Sequence, residues 1–104
     1  MNQIDLTATK YKYTPANPAV PGSKAVYTAE RMFRTNHREI SAQENVKAGR
    51  LATGKGKRFF YFPARVRFAY GDRILFDGLY YEIMYIPEQG YSVAINYVDT
   101  KALQ

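Results

Sequence analysis

Asp77-Gly78 stands between two short runs in which residues of unlike character alternate, Arg73 to Phe76 and Leu79 to Tyr85. An Asp-Gly pair in that setting signals a two-residue type I′ hairpin turn, since both central positions need positive φ. The turn dictates a register. Phe76 falls opposite Leu79 and Ile74 opposite Tyr81 on one face, while Leu75 meets Tyr80 and Arg73 meets Glu82 on the other. The last is an opposite-charge pair, worth at most ~1 kcal/mol, and its sign agrees with the register. A slip of one residue would set Arg73 among apolar groups, so the pairing is well specified. A chain committed to this hairpin needs further strands to cover its apolar face.

Those strands are legible on both sides. Pro87 to Gly90 makes a second turn, after which Tyr91, Val93, Ile95 and Tyr97 alternate with Ser92, Ala94, Asn96 and Val98. Upstream, Arg58 to Phe62 is a short apolar run stopped by Pro63. Arg65, Arg67 and Ala69 then alternate with Val66, Phe68 and Tyr70, one charged face and one buried face. Residues 25–34 alternate in the same way and suit a strand. Strands recurring every 8–12 residues or so, with turn signals between, predict a mainly β fold, a small antiparallel barrel or sandwich.

The edges of that domain are read from breakers and caps. Ile4, Leu6 and Ala8, then Tyr11 and Tyr13, suit one N-terminal strand, followed by Pro15, Pro18 and Pro21, each holding its neighbourhood extended. Residues 1–24 are therefore expected to form an extended arm and 25–98 a single barrel domain. Residues 99–104 are expected to be an exposed tail. Asn36 with Glu39 fits a capping box and predicts a short helix over about 37–48, without a clean apolar stripe. Gly49, Gly54 and Gly56 then punctuate a long basic loop at about 48–57.

Composition excludes several kinds of chemistry. The 104 residues hold no cysteine and one histidine, His37, with 10 Tyr and 6 Phe. Without cysteine there is no disulfide framework or thiolate zinc site. A single imidazole and scattered carboxylates are a poor supply for acid–base or metal chemistry. No enzyme activity, catalytic residue, metal or cofactor is expected. No apolar run approaches the ~18–20 residues of a membrane span, so no membrane partner is expected either, and the chain reads as an intracellular or particle-associated soluble domain. Gly49 to Gly56 imitates a phosphate-binding loop, but Gly56 replaces the hydroxyl that would hold magnesium, and the flanking strand and helix are missing. The tyrosines exceed what one small core needs and suit contacts between chains.

Charge is segregated along the chain. Lys47 to Arg73 holds eight cations and one anion, a net +7, whereas Ile74 to Gln104 holds one cation against four anions, a net −3. Lys47, Arg50, Lys55, Lys57 and Arg58 are candidates for a loop facing nucleic acid, where neutralised phosphates add salt-dependent affinity. The run Arg58 to Phe62 also has the interleaving of a base-stacking platform, which would suit a small basic nucleic-acid-binding barrel. Alternatively, the basic zone of one copy meets the acidic zone of the next. Tyr11, Tyr13, Arg65, Arg67, Asp77, Glu82 and Glu88 are the candidates for such a subunit interface.

Phe68 to Ile83, with Met84 to Ile86 after it, runs turn, "G-D-x-I", short gap, "G-x-x-Y-x-I" and closing strand. It resembles the C-terminal pattern of the tailed-bacteriophage head–tail joining proteins, the head-closure, head-completion and adaptor family. Arg38 to Ala42 resembles that family's short "R-E-x-x-A" segment. The resemblance implies a β-barrel that assembles as a homo-oligomeric ring in the virion neck, at the head–tail junction, after synthesis in the host cytoplasm. Portal or adaptor and tail proteins are its implied partners, with non-specific contact to packaged DNA. On this reading the 48–57 loop faces the DNA channel and becomes ordered on assembly.

Overall fold

The computed structural model describes residues 4–40, 56–88 and 94–103. Six strands form an antiparallel closed barrel: β1 (Leu6–Thr14), β2 (Val26–Glu39), β3 (Lys57–Tyr61), β4 (Arg73–Phe76), β5 (Leu79–Tyr85) and β6 (Asn96–Ala102). Around the barrel the order is β1-β2-β3-β6-β5-β4, and β4 closes it by pairing with β1. Closure leaves the pleat one inward side, and alternation along each strand fills it. Ala8, Phe33, Phe59, Tyr61, Ile74, Tyr81, Ile83 and Val98 make the core, joined by Val66 from outside the strands.

The β4–β5 hairpin has the register the Asp-Gly turn dictates. Arg73 lies opposite Glu82, Ile74 opposite Tyr81, Leu75 opposite Tyr80 and Phe76 opposite Leu79. Asp77 (φ 52°) and Gly78 (φ 79°) are both left-handed, as a type I′ turn requires. The side chains of Arg73 and Glu82 do not form the expected pair, however. The guanidinium lies 3.7 Å from the centre of the Tyr27 ring instead.

Three expectations need correction. The N-terminal strand is not part of an arm set apart from the barrel: β1 pairs with β2 along Leu6–Thr14 and with β4 at Thr9–Tyr11. The helix start at Asn36 is absent. Asn36 to Glu39 continue β2 and pair with Lys57–Phe60, because a β3 strand waits to take their backbone groups. The rest of the 37–48 segment, from 41 on, lies outside the described residues. Finally, residues 99–102 are not a tail. They complete β6, with Asp99 and Thr100 buried.

Residues 65–70 were expected to alternate like a strand, and they do so only in burial and only as far as Phe68. Pro63 cannot donate to a ladder, and the chain turns there, with Arg65 N–H bonding the Phe62 carbonyl at 2.9 Å. The segment folds over one end of the barrel. Val66 is buried, and Phe68 packs edge-on against Phe33 and Tyr61. Arg65 and Arg67 stay exposed, and so does Tyr70, which the alternation had placed inside.

Candidate basic groove and interfaces

Where β3 stops, a groove begins. β3 covers only Asn36–Glu39 of the 14-residue β2, so among the described residues Val26–Thr35 pair with β1 alone. The 62–67 turn passes beside that uncovered stretch without pairing to it. The space between holds a cleft of about 620 Å³ lined by Arg31, Met32, Phe33, Arg34, Phe62, Pro63, Arg65 and Val66. A smaller one of about 320 Å³ runs on from it past Arg31, Arg65 and Arg67 to Lys10 and Glu30. The two share Arg31, Pro63, Ala64, Arg65 and Val66 and form one groove, apolar on its floor and ringed by four arginines.

Its one carboxylate is already engaged. Lys10 is only 7% exposed, and its ammonium lies 2.9 Å from Glu30 and 3.7 Å from Asp72. The β-bulge between Lys10 and Tyr11 places Glu30 here: Lys10 pairs with Arg31 and Tyr11 with Ala29, leaving Glu30 as the extra residue. The Lys10 ammonium holds the Glu30 carboxyl below its ordinary pKa. Asp72 uses its other capacity on backbone, accepting from Tyr13 N–H at 3.0 Å and Ala69 N–H at 2.9 Å. The groove is thus basic in net effect, and a cluster of fixed charges holds it together at one end.

Of the residues expected to face a DNA channel, Lys57 and Arg58 are described. Lys47, Arg50 and Lys55 lie outside the described residues. Lys57 and Arg58 belong to β3 and not to a loop. Lys57 contacts Glu39 at 2.6 Å and His37 Nδ1 at 3.3 Å. Arg58 forms a two-bond fork with Asp99, 2.7 and 3.0 Å, and stacks 4.0 Å from the centre of Tyr97. A guanidinium held on a carboxylate that is 1% exposed is structural cement, not a phosphate ligand. Phe59, Phe60 and Tyr61 are likewise buried, so the Arg58–Phe62 run presents none of these three rings for stacking.

No protein-family model matches the chain, and no curated protein matches it.

The residues expected at a subunit interface separate into three regions. Arg65 and Arg67 line the groove beside β2. Asp77, Glu82 and Glu88 lie on or beside the β4–β5 hairpin, and β5 is three strand positions from β2 in either direction. Tyr11 and Tyr13 belong to a tyrosine cluster on the outer side of β1. Tyr11 meets Tyr80 edge-on at 5.4 Å, and Tyr13 meets Tyr27 at 5.2 Å. Hydrogen bonding with Tyr80 raises the Tyr11 pKa above its ordinary value. Tyr80 gives this cluster exposed surface, 41% of the residue. Arg31 and Arg34, the other half of the groove, were not singled out from the sequence. The signal that points to them is Pro63, which ends β3 early and strips β2 of its second neighbour.

Proposed function

We propose that the chain is a structural protein of the tailed-phage neck, a head–tail connector or head-closure subunit that assembles as a ring. It docks on the portal or adaptor, helps to retain packaged DNA and offers a surface to tail proteins. The observation that carries this reading is the β1–β2 ribbon. Its last tie to a third strand is Tyr11 with Arg73, yet pairing continues through Thr14 and Val26 to a turn over residues 15–25. The ribbon exposes Val20 and Val26, about half of each, and has no core of its own to cover them. A two-stranded ribbon is marginal alone and is suited to lie on a neighbour.

The charge arrangement supports the same reading. A ring needs a heterologous contact, with unlike patches on two sides of each protomer. Arg65 and Arg67 beside β2, with Glu82 on β5 three strand positions away, are unlike patches of that kind. The stretch Phe68–Ile86 that resembles the head–tail joining proteins is the segment that caps the barrel and builds the β4–β5 hairpin.

The test is the solution mass of the purified chain across a concentration series at low and high salt. Rings or ring-sized oligomers are expected, loosened by salt, and lost when residues 15–25 are replaced by a two-residue Asn-Gly turn. A monomer at every concentration that binds short DNA tightly at low salt would overturn the reading. It would favour the alternative, a nucleic-acid-binding barrel, which has the four-arginine groove in its support.

A further inference from the structure

We infer that the groove between β2 and the 62–67 turn receives an extended acidic segment of another protein, which adds to β2 as a strand. From Val26 to Thr35, β2 has a strand on one side only among the described residues, so alternate N–H and C=O groups point to the open side. An extended peptide supplies both donors and acceptors to such an edge. Successive side chains of the added strand would face opposite ways. One set meets the apolar floor at Phe33, Phe62 and Val66. The other lies beside Arg34 on the outer face, with Arg31 and Arg65 flanking the end. The occupant that fits alternates apolar with acidic residues.

Other occupants fit less well. The barrel is closed, and among the described residues the Val26–Thr35 stretch of β2 is the longest run of strand paired on one side alone. Two copies of β2 pairing antiparallel about Met32 and Phe33 would set Arg31 opposite Arg34, a like-charge contact. The β4–β5 hairpin of a second copy has both edges occupied and can offer only side chains. Phosphates of a nucleic acid accept hydrogen bonds but donate none, which leaves the β2 carbonyls unpaired. The ring nearest the strand, Phe33, is 5% exposed and gives no base a face to stack on. The inference stands apart from the ring assembly above, because the edge exists in a single copy.

The experiment titrates the full-length, isotope-labelled chain with a capped eight-residue peptide alternating Glu with Val. It is run once at a concentration where the chain is dispersed and once at the highest reachable concentration. Expected are shifted amide resonances and slowed amide exchange at Arg31–Arg34, with shifts at residues 62–67. Affinity should fall at least about tenfold in Arg34→Glu combined with Arg65→Glu. Both residues are exposed, and an unchanged melting temperature would show that the variant folds. It should fall as far when alternate peptide amides are N-methylated, which removes strand pairing and keeps the charges. Binding indifferent to N-methylation would overturn strand addition. Failure to bind, with a short DNA duplex shifting the same residues instead, would overturn the peptide in favour of nucleic acid. Expulsion of the peptide on self-association would make the groove a contact between copies and also overturn the inference. Absence of self-association would count against the ring alone.

Discussion

The molecule contains two hairpins built on opposite principles. β4 and β5 join through two residues, and the left-handed φ of Asp77 and Gly78 sets their four pairs. β1 and β2 join through residues 15–25, run far longer, and change register at a bulge. That turn is closed by its own hydrogen bonds, Asn17 N–H to Ser23 Oγ at 2.8 Å and Ser23 N–H to the Val20 carbonyl at 3.1 Å. It has no left-handed pair like Asp77-Gly78 to set a register. What fixes it is charge and contact from elsewhere: Lys10 on Glu30, the Asp72 carboxylate on the Tyr13 amide, and the Arg73 guanidinium on the Tyr27 ring. The short hairpin is specified by its turn, and the long one by the barrel end on which it leans.

If so, the largest effect comes from the anchor and not from the turn. Asp72→Ala removes the acceptor of two backbone amides and one partner of a nearly buried ammonium. Stability should fall by about 3–5 kcal/mol, as when one member of a buried charged network is lost. Chemical denaturation measures it, and amide exchange at Tyr13 and Ala69 should accelerate most. Asp72→Asn keeps one acceptor oxygen and should recover part of the loss. If both variants melt as the parent does, the long hairpin is held by its own ladder and the contrast fails.

The turn of the short hairpin comes next. Gly78 has φ 79° with open space around it, so a side chain there is strained by backbone conformation alone. Gly78→Ala should cost about 1–2 kcal/mol, the usual toll of a left-handed residue that carries a Cβ. The register should survive, because Ile74 and Tyr81 still favour the inside. A shifted β4–β5 register, read from cross-strand amide contacts, would show that the turn specifies more than its energy.

The long turn should matter least to the barrel. Replacing residues 15–25 by Asn-Gly shortens a loop whose closure entropy grows only slowly with length. A change within about 1 kcal/mol is expected, alongside the loss of assembly. A collapse of the barrel would mean that the ribbon tip is part of its core and not a surface offered to a neighbour.

The same contrast explains what was legible in the sequence. The β4–β5 pairing could be written residue by residue, since a local turn and a period of two suffice. β6 could not be bounded. Asp99, Thr100 and Lys101 read as a polar tail, and the partner that buries Asp99 is Arg58, 41 residues away. Lys10 looks like any exposed strand lysine until Glu30 and Asp72 converge on it from other elements. The groove was half legible: Arg65 and Arg67 stand out beside Pro63, whereas Arg31 and Arg34 acquire meaning only when β3 is seen to cover four residues of β2.

The smallest predicted effect belongs to the barrel end where the short hairpin turns. His37 lies on β2 with its ring 4.8 Å from Phe76 and 6.1 Å from Phe59. Partial burial and the Lys57 ammonium lower its pKa from the ordinary 6.5, while the Glu39 and Asp77 carboxylates pull the other way. Lowering means that the unfolded chain takes up the proton first as pH falls. The contribution to stability is therefore complete above about 6.5. It declines as pH drops from there towards the folded value and then levels off. His37→Phe keeps an aromatic ring against Phe59 and Phe76 and removes the titration. Its melting temperature should fall less between pH 7.5 and 5.5 than that of the parent. Equal slopes would assign the acid sensitivity to the carboxylates instead, with Glu30 beside Lys10 at the opposite barrel end as the next place to look.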